Sequence, residues 1–271
     1  MKAQGIIHPI QYMFMRRRRL MLAGLRIGVK MKILKYKNSF DYSYALGATL
    51  VYELVNNKPE LARRVYISSS TDRTEHITAL LDKCAALGIP VETNDKAFNI
   101  LSPKGNCFVI AEFSKREDDI EKGNHVLLVN PSDAGNLGTI IRTATGFGFK
   151  NIAIVRPAVD FYDPKTIRAS MGAAFHVNVK YFDCIDDYLK KFPENNRYAF
   201  MLTSSVPIYD VEIKEPYSLI LGNEATGLPE EYATFCKSII IPHSHEIDSL
   251  NLPIAASIGM YEFSKKNNVV K

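Results

Sequence analysis

The sequence has few cysteines, and their spacing does not suit a zinc site or a disulfide framework. The four are Cys84, Cys107, Cys184 and Cys236. No C-x-x-C pair occurs, and no histidine lies at zinc-finger spacing from them. Such cysteines are typical of reduced, mostly buried thiols in a cytoplasmic protein. His243 and His245 lie beside Glu246, but no further ligand cluster accompanies them, and we predict no metal site.

Long apolar runs are also missing. No stretch approaches the roughly 20 residues that span a bilayer. Near the amino terminus the uninterrupted apolar stretch is residues 20–25. A signal peptide needs an apolar run of about 7–15 residues that ends in a small-residue cleavage site. The sequence therefore predicts a cytoplasmic protein with no membrane partner.

Acidic residues are absent from the first 30 positions, which contain seven basic ones. The remaining 27 basic and 29 acidic residues give a net charge of −2, so the formal charge of +5 belongs to this leader alone. We expect residues 1–30 to be disordered or non-native, with the native chain starting at Met31. A basic arm that binds RNA phosphates and a segment that lies on a membrane surface are the alternatives.

Two loops rich in glycine lack the signatures of common nucleotide sites. Neither residues 130–138 nor residues 222–229 have the Lys-Ser/Thr pair of a phosphate-binding loop, and no G-x-G-x-x-G follows a strand. The sequence therefore does not favour a binding site for ATP or for a dinucleotide.

What is present is an α/β pattern in two parts. Residues 31–113 are predicted to form a small α/β domain, with helices over 42–57 and 75–87 and strands over 64–68, 89–92 and 107–113. The charge-dense stretch 114–122 is predicted to be a solvated linker.

The second predicted domain, residues 123–271, alternates apolar strands with helices. The strands are expected over 125–130, 151–156, 176–182, 198–203, 218–221 and 238–242. The helices are expected over 137–147, 164–171, 186–192, 229–235 and 249–266. This order predicts a parallel sheet covered on both faces.

In such a sheet, ligands bind on the loops that follow the carboxyl ends of the strands. In the first loop, Arg142 shares a helical face with Gly138 and can point toward an anion, although a solvated arginine is the simpler interpretation. In the second loop, Glu224 is either a turn residue or a functional acid. In the third, Ser249 can cap the last helix together with the preceding aspartate, or join Asn251 in holding a ribose hydroxyl or an amino-acid moiety.

Together these loops resemble the three motifs of the SpoU/TrmH family, RNA 2′-O-ribose methyltransferases of the SPOUT class. The motifs read Asn136-Leu-Gly-Thr-Ile-Ile-Arg142-Thr-Ala, Leu221-Gly-Asn-Glu-Ala-Thr-Gly-Leu228 and Ile241-Pro…Ser249-Leu-Asn251-Leu-Pro-Ile-Ala-Ala256. Their order and spacing agree over roughly residues 123–266. Residues 40–113 resemble the small substrate-binding domain that often precedes this catalytic domain.

The resemblance implies a carboxyl-terminal α/β-knot, a deep trefoil knot in a parallel sheet, with S-adenosylmethionine (SAM) bound in the knot. It implies a homodimer through the knot region and an RNA partner, either tRNA or rRNA. The implied cofactor-binding residues are Thr203, Leu221, Gly222, Asn223, Ile241, Pro242, Ser249 and Leu250. The implied catalytic residues are Arg142, Asn136, Glu224, Ser249 and Asn251.

The implied reaction is attack of a ribose 2′-oxygen on the methyl carbon of SAM, which requires the hydroxyl proton to be removed or shared. The family assigns that task to the arginine of the first motif, here Arg142. Because a free guanidinium has a pKa above about 12, Arg142 is either an unusual base or a group that orients phosphate and ribose.

This chain departs from the family pattern at several positions. His245 stands where glycine is common, and Leu252-Pro253 where Val-Ser is frequent. Ala134 and Gly135 lengthen the first loop. We expect His245 to alter the shape of the cofactor entrance. A SPOUT-like RNA-binding protein or chaperone without methyl transfer is the alternative function, and an α/β enzyme for another nucleotide is a third.

Overall fold

The computed structural model describes residues 33–103, 107–203 and 205–266. The predictions for residues 1–30 lie outside the described residues. Within the described part, Lys35 onward belongs to one compact unit that contains two β-sheets.

The smaller sheet has four strands in the order β1-β4-β2-β3. These are β1 (Tyr42–Leu46), β2 (Ala62–Ile67), β3 (Val91–Thr93) and β4 (Val109–Ser114). Its helices are α1 (Ala48–Asn57), α2 (Glu75–Ala86) and α3 (Asp95–Leu101). β4 pairs antiparallel with both β1 and β2, whereas β3 is parallel to β2.

The predicted helix over 42–57 was wrong in its first five residues. Tyr42–Leu46 is strand β1, with Tyr42 opposite Ser114 and Leu46 opposite Ile110. Buried partners on β4 favour the extended conformation here, and the helix begins only at Ala48. Helix α3 was not predicted, although Asn94 caps it by accepting a hydrogen bond from the amide of Ala97 at 3.3 Å.

The larger sheet has seven strands in the order β7-β6-β5-β10-β8-β11-β9, all parallel. The strands are β5 (His125–Val129), β6 (Asn151–Val155), β7 (Asn178–Phe182), β8 (Asn196–Phe200), β9 (Val206–Pro207), β10 (Tyr217–Leu221) and β11 (Lys237–Ile240). The prediction of a parallel α/β sheet is confirmed. Strand β8 ends at Phe200, three residues before its predicted end, and the two-residue β9 was not predicted.

The helices associated with this sheet are α4 (Ala134–Gly146), α5 (Pro164–Ala169), α6 (Ile185–Lys191) and α7 (Leu252–Lys266). Apolar side chains cover both faces of the sheet, as predicted. The predicted helix over 229–235 is instead a 3₁₀ turn, Glu230–Thr234. Among the described residues, no helix has the length and apolarity needed to cross a bilayer.

Residues 114–122 run between the two sheets and form ion pairs with side chains from both. Lys115 binds Asp160 at 3.0 Å, Arg116 binds Glu60 at 3.0 Å, and Asp118 binds Lys58. Ile120 is buried in the core of the larger sheet. The division into domains at this stretch stays a prediction.

Candidate active site

A cavity of about 310 Å³ lies at the carboxyl edge of the larger sheet. Its wall is formed by the ends of β8, β10 and β11 and by the loops that follow them. The lining residues are 200–202, 221–227, 239–241, 243, 248–250, 252 and 255. Its volume falls in the range of small-molecule sites, and it occupies the edge where ligands of parallel sheets bind.

The loop after β10 forms a tight turn against the cavity. Asn223 and Gly227 exchange backbone hydrogen bonds of 3.1 and 2.9 Å, and the Asn223 side chain accepts bonds from two amides inside the turn. Its Nδ2 donates to the carbonyl of Asn130 at 2.8 Å, which joins this loop to the end of β5. A Cβ on Gly222 would lie 2.2 Å from the carbonyl carbon of Gly227, so the turn requires glycine at position 222.

Glu224 holds the loop that follows β5. Its carboxylate accepts hydrogen bonds from the Ser132 hydroxyl at 2.7 Å, the Ser132 amide at 3.1 Å and the Asn136 Nδ2 at 3.1 Å. Burial raises the pKa of Glu224, but these hydrogen bonds outweigh it, and the pKa is lowered overall. Glu224 is therefore an ionised acceptor that orders the first loop, not a proton donor.

Arg142 is exposed on α4, about one and a half turns after Asn136. Within the described residues its side chain forms no hydrogen bond or ion pair. Asn136, in the first turn of the same helix, contacts Glu224, which lines the cavity. The exposed Arg142 guanidinium is thus free to bind an anion, and it is carried on the helix whose first turn Glu224 joins to the cavity.

The third loop leads into α7. Ser249 lines the cavity, and Ser249 and Asn251 are both exposed. The predicted start of this helix at residue 249 was wrong: α7 begins at Leu252, and the Asn251 carbonyl accepts the hydrogen bond of the Ala255 amide at 3.0 Å. Ser249 is therefore not its cap. Pro253 falls in the first turn, where proline is tolerated.

The predicted site residues divide into three groups. Those that line the cavity are Leu221, Gly222, Asn223, Glu224, Ile241, Ser249 and Leu250. Asn136 reaches it through Glu224. Thr203, Pro242, Arg142 and Asn251 are not in its lining. Thr203 lies three residues beyond the end of β8, because that strand is shorter than predicted.

Part of the cavity wall was not predicted from the sequence. Phe200 and Met201 at the end of β8 line the cavity, and so does His243 rather than the expected His245. His243 is held by its Nδ1, 2.8 Å from the carbonyl of Ile241. Among the described residues, no group of three His, Cys, Asp or Glu side chains could hold a metal ion.

Comparison with known proteins identifies the family. The SpoU rRNA Methylase family model matches residues 123–261, just over half of the chain. The chain belongs to the SpoU rRNA Methylase family. The matched residues contain all three motif loops and the cavity, and the resemblance to the SpoU/TrmH family is confirmed.

Two relatives and one solved structure illustrate this membership of the SpoU family. The chain is 27% identical over 222 residues to the 23S rRNA (uridine(2479)-2′-O)-methyltransferase of Streptomyces viridochromogenes, covering 79% of this chain and 74% of that protein. It is 30% identical over 145 residues to a putative tRNA (cytidine(34)-2′-O)-methyltransferase of Listeria innocua, covering 51% and 85%. An AdoMet-bound rRNA methyltransferase from Sinorhizobium meliloti superposes with a TM-score of 0.72 at 28% identity, covering 84% of this chain and 88% of that one.

Proposed function

We propose that this chain transfers a methyl group from SAM to a ribose 2′-hydroxyl of tRNA or rRNA. Membership of the SpoU family and the AdoMet-bound structural relative confirm the predicted reaction class and cofactor. The observation that carries the proposal is that the second and third motif loops line one cavity, and that Glu224 in its wall is hydrogen-bonded to Ser132 and Asn136 of the first motif region, whose helix carries the exposed Arg142.

The residues around the cavity fit SAM. Leu221, Ile241, Leu250 and Leu252 offer an apolar surface for an adenine ring, while the loop of residues 222–227 presents backbone groups. Such a mixture of apolar walls and a few placed polar groups is usual for a cofactor site. We infer that the segment from β11 to α7 completes a trefoil knot around this cavity, as the family resemblance implies.

SAM, when bound, supplies an electrophilic methyl carbon. Arg142 orients the ribose and the adjoining phosphate by binding the phosphate oxygens. Because a protonated guanidinium has no acceptor, the proton of the 2′-hydroxyl would pass to a phosphate oxygen of the RNA or to water as the 2′-oxygen reacts. Glu224 and Asn136 keep the loop before Arg142 in place. Ser249, which lines the cavity, and Asn251, two residues further along the chain, are both exposed and offer neutral donors and acceptors to the ribose.

A homodimer is the proposed assembly. On α7, Ile254 and Tyr261 are 52% and 44% exposed, and with the half-buried Ile258 they form one apolar stripe at helical spacing. A second copy of the chain would bury this stripe beside the proposed knot. All four cysteines are free, which supports the proposed cytoplasmic location.

Arg142→Ala separates cofactor binding from methyl transfer. We expect transfer to fall by at least about a hundredfold, because the group that positions the phosphate and the ribose is lost. SAM affinity, measured by isothermal titration calorimetry, should stay close to wild type because Arg142 is outside the cavity wall. Loss of SAM binding in a folded variant would show that Arg142 supports the cofactor site instead.

A further inference from the structure

The fixed charges in the wall of the cavity are negative. Glu224 and Asp248 line the cavity, and within the described part of the chain no lysine or arginine does so. One imidazole also lines it, that of His243, whose Nδ1 lies 2.8 Å from the carbonyl oxygen of Ile241. A molecule bound in the cavity therefore meets two carboxylates and no basic side chain of fixed charge.

Glu224 already has protein donors around its carboxylate. Its oxygens accept hydrogen bonds from the Ser132 hydroxyl, the backbone amides of Ser132 and Asp133, and the side-chain amides of Asn136 and Asn223. These donors stabilise the ionised form from within the protein. Glu224 therefore holds the first loop in place without a ligand as its partner.

Asp248 lies in the same wall but has no such donors. It is exposed, and within residues 33–103, 107–203 and 205–266 its carboxylate forms no hydrogen bond or ion pair. Asp248, Ser249 and Leu250 form one continuous stretch of the lining. The charge of Asp248 is therefore available to a cationic group in the cavity.

The cofactor loses a positive charge in the proposed reaction. The ribose oxygen forms a C–O bond with the methyl carbon, and the C–S bond breaks with its electron pair left on sulfur. The sulfonium of SAM becomes the neutral thioether of S-adenosylhomocysteine (SAH), while the hydroxyl proton passes to a phosphate oxygen or to water. SAM and SAH therefore differ by one methyl group and one positive charge at the sulfur.

The charge of the wall distinguishes these two molecules. A carboxylate attracts a nearby positive charge, and the attraction is stronger where apolar groups exclude water. The same wall contains the apolar side chains of Leu221, Ile241, Leu250 and Leu252. Negative charge in this wall therefore favours the cation over the neutral product, and its removal should reduce the difference between their affinities.

We propose that Asp248 gives the cavity a preference for the sulfonium of SAM over the thioether of SAH. The inference rests on the proposed function for the identity of the cofactor. Asp248 acts through its charge on binding and accepts no proton in the transfer. Because the attraction ends when the methyl group leaves, the same residue favours release of the product.

The test compares Asp248→Asn with the matched control Glu246→Gln. Glu246 lies on the same loop, is exposed and has no partner in the described part of the chain, but it does not line the cavity. Isothermal titration calorimetry gives Kd for SAM and for SAH with each protein. We expect Asp248→Asn to raise Kd for SAM about fivefold, the effect of an exposed ion pair, and to leave Kd for SAH unchanged. Glu246→Gln should change neither value, and both variants should melt at the wild-type temperature.

Two further measurements separate charge from shape. Sinefungin carries an ammonium group on carbon in place of the methylated sulfonium, and Asp248→Asn should weaken its binding about as much as that of SAM. Asp248→Glu restores the negative charge and should restore most of the preference for SAM. Added salt should weaken SAM binding more in the wild type than in Asp248→Asn, because salt screens an exposed charge.

Equal weakening of SAM and SAH by Asp248→Asn would overturn the inference, since Asp248 would then contact the amino-acid or ribose part that both molecules share. An unchanged Kd for SAM, or an equal effect of Glu246→Gln, would also overturn it.

The inference and the proposed function fail separately. The expected loss of preference, in a wild-type protein that methylates no RNA, supports the inference and overturns the function. Ribose methylation by a wild type whose cofactor affinities do not respond to Asp248→Asn overturns the inference alone. A folded wild type that binds neither SAM nor SAH overturns both.

Discussion

At the scale of single residues, Glu224 shows how an acid can serve an active site without exchanging a proton. Its carboxylate accepts bonds from two amides, a hydroxyl and an amide side chain. Those donors lie on the loop after β5 and in the first turn of α4, while Glu224 itself lines the cavity. The cofactor site and the loop that leads to Arg142 are therefore fixed to each other through one ionised group.

Glu224→Gln should weaken this connection. A glutamine has one acceptor oxygen and presents an NH₂ group to donors, so at least one hydrogen bond is lost, at a cost of about 1 kcal/mol for a half-exposed group. We expect urea unfolding at neutral pH to show that loss and methyl transfer to slow. The exposed Glu230→Gln serves as the control. Equal effects of the two substitutions would contradict the assigned role.

The same variant gives a pH test. The pKa of Glu224 is lower in the folded protein than in the unfolded chain. The ionised carboxylate therefore contributes fully to the free energy of unfolding above the ordinary carboxyl pKa of about 4.3. That contribution is lost as the pH falls through the pKa of Glu224 in the folded protein. The stability difference between wild type and Glu224→Gln should therefore shrink in acid. A difference that grows toward low pH would be inconsistent with an ionised acceptor.

At the scale of elements, the site depends on how closely α4 approaches α5. Gly138 makes this approach possible, since its missing Cβ leaves room for the Ala169 side chain and the Thr166 carbonyl. Gly138 lies within α4 and not in the loop predicted over residues 130–138, so glycine at this position of the first motif has a packing reason. Arg142 is carried on the same helix.

Gly138→Ala should separate the two helices. A Cβ at this position would lie 2.6 Å from a backbone oxygen that cannot move aside cheaply. We expect a loss of about 1–3 kcal/mol in the free energy of unfolding, measured in urea. Gly146→Ala on the same helix meets no atom within 4 Å and should leave stability unchanged or slightly higher. Similar losses in both variants would contradict close packing as the cause.

The sequence predicted the larger sheet well because its strands are continuous apolar runs between helical segments. The prediction was wrong where the same apolar spacing is compatible with a helix and with a strand. The apolar residues of 42–46 continue the helical spacing of α1, but they form a strand that pairs with β4. The prediction also failed at helix ends, since Ser249 and Asn251 are both plausible caps and hydrogen bonding at the first turn decides between them.

The candidate site was predictable where motif residues are neighbours in sequence, as in residues 221–224. Its remaining wall was not, because the strand order β10-β8-β11 brings Phe200 and Met201 to the cavity from a segment without a motif. The contact of Glu224 with Ser132 and Asn136 also joins positions about 90 residues apart. No local pattern contains that information.

At the scale of the whole molecule, a buried polar network closes the amino-terminal edge of the larger sheet, opposite the cavity. His125 is fully buried, with Nδ1 2.7 Å from the Tyr188 hydroxyl and Nε2 2.7 Å from the carbonyl of Glu121. Tyr188 in turn contacts the Ser218 hydroxyl at 2.6 Å, which accepts from Asn195 at 3.0 Å. Because a carbonyl oxygen only accepts, His125 donates through Nε2, and its burial favours the neutral form of the ring.

Stability should therefore fall on acidification. Burial lowers the pKa of His125, so the unfolded chain binds this proton more readily than the folded one. We expect the free energy of unfolding to decline below about pH 6.5, by at most about 1.4 kcal/mol per pH unit for this group. His125→Asn should remove that part of the slope, while the exposed His76→Asn should keep it. An unchanged slope in His125→Asn would show that other groups cause the decline.

The proposed reaction is methylation of a ribose 2′-hydroxyl of RNA, with SAM bound in the cavity and Arg142 as the positioning group. The most direct test incubates the purified protein with isotope-labelled SAM and total RNA from cells that lack the gene, followed by nucleoside mass spectrometry. We expect one labelled 2′-O-methylnucleoside, which is absent when Arg142→Ala replaces the wild type. Label in a base, or no label from a folded protein that binds both SAM and RNA, would contradict it.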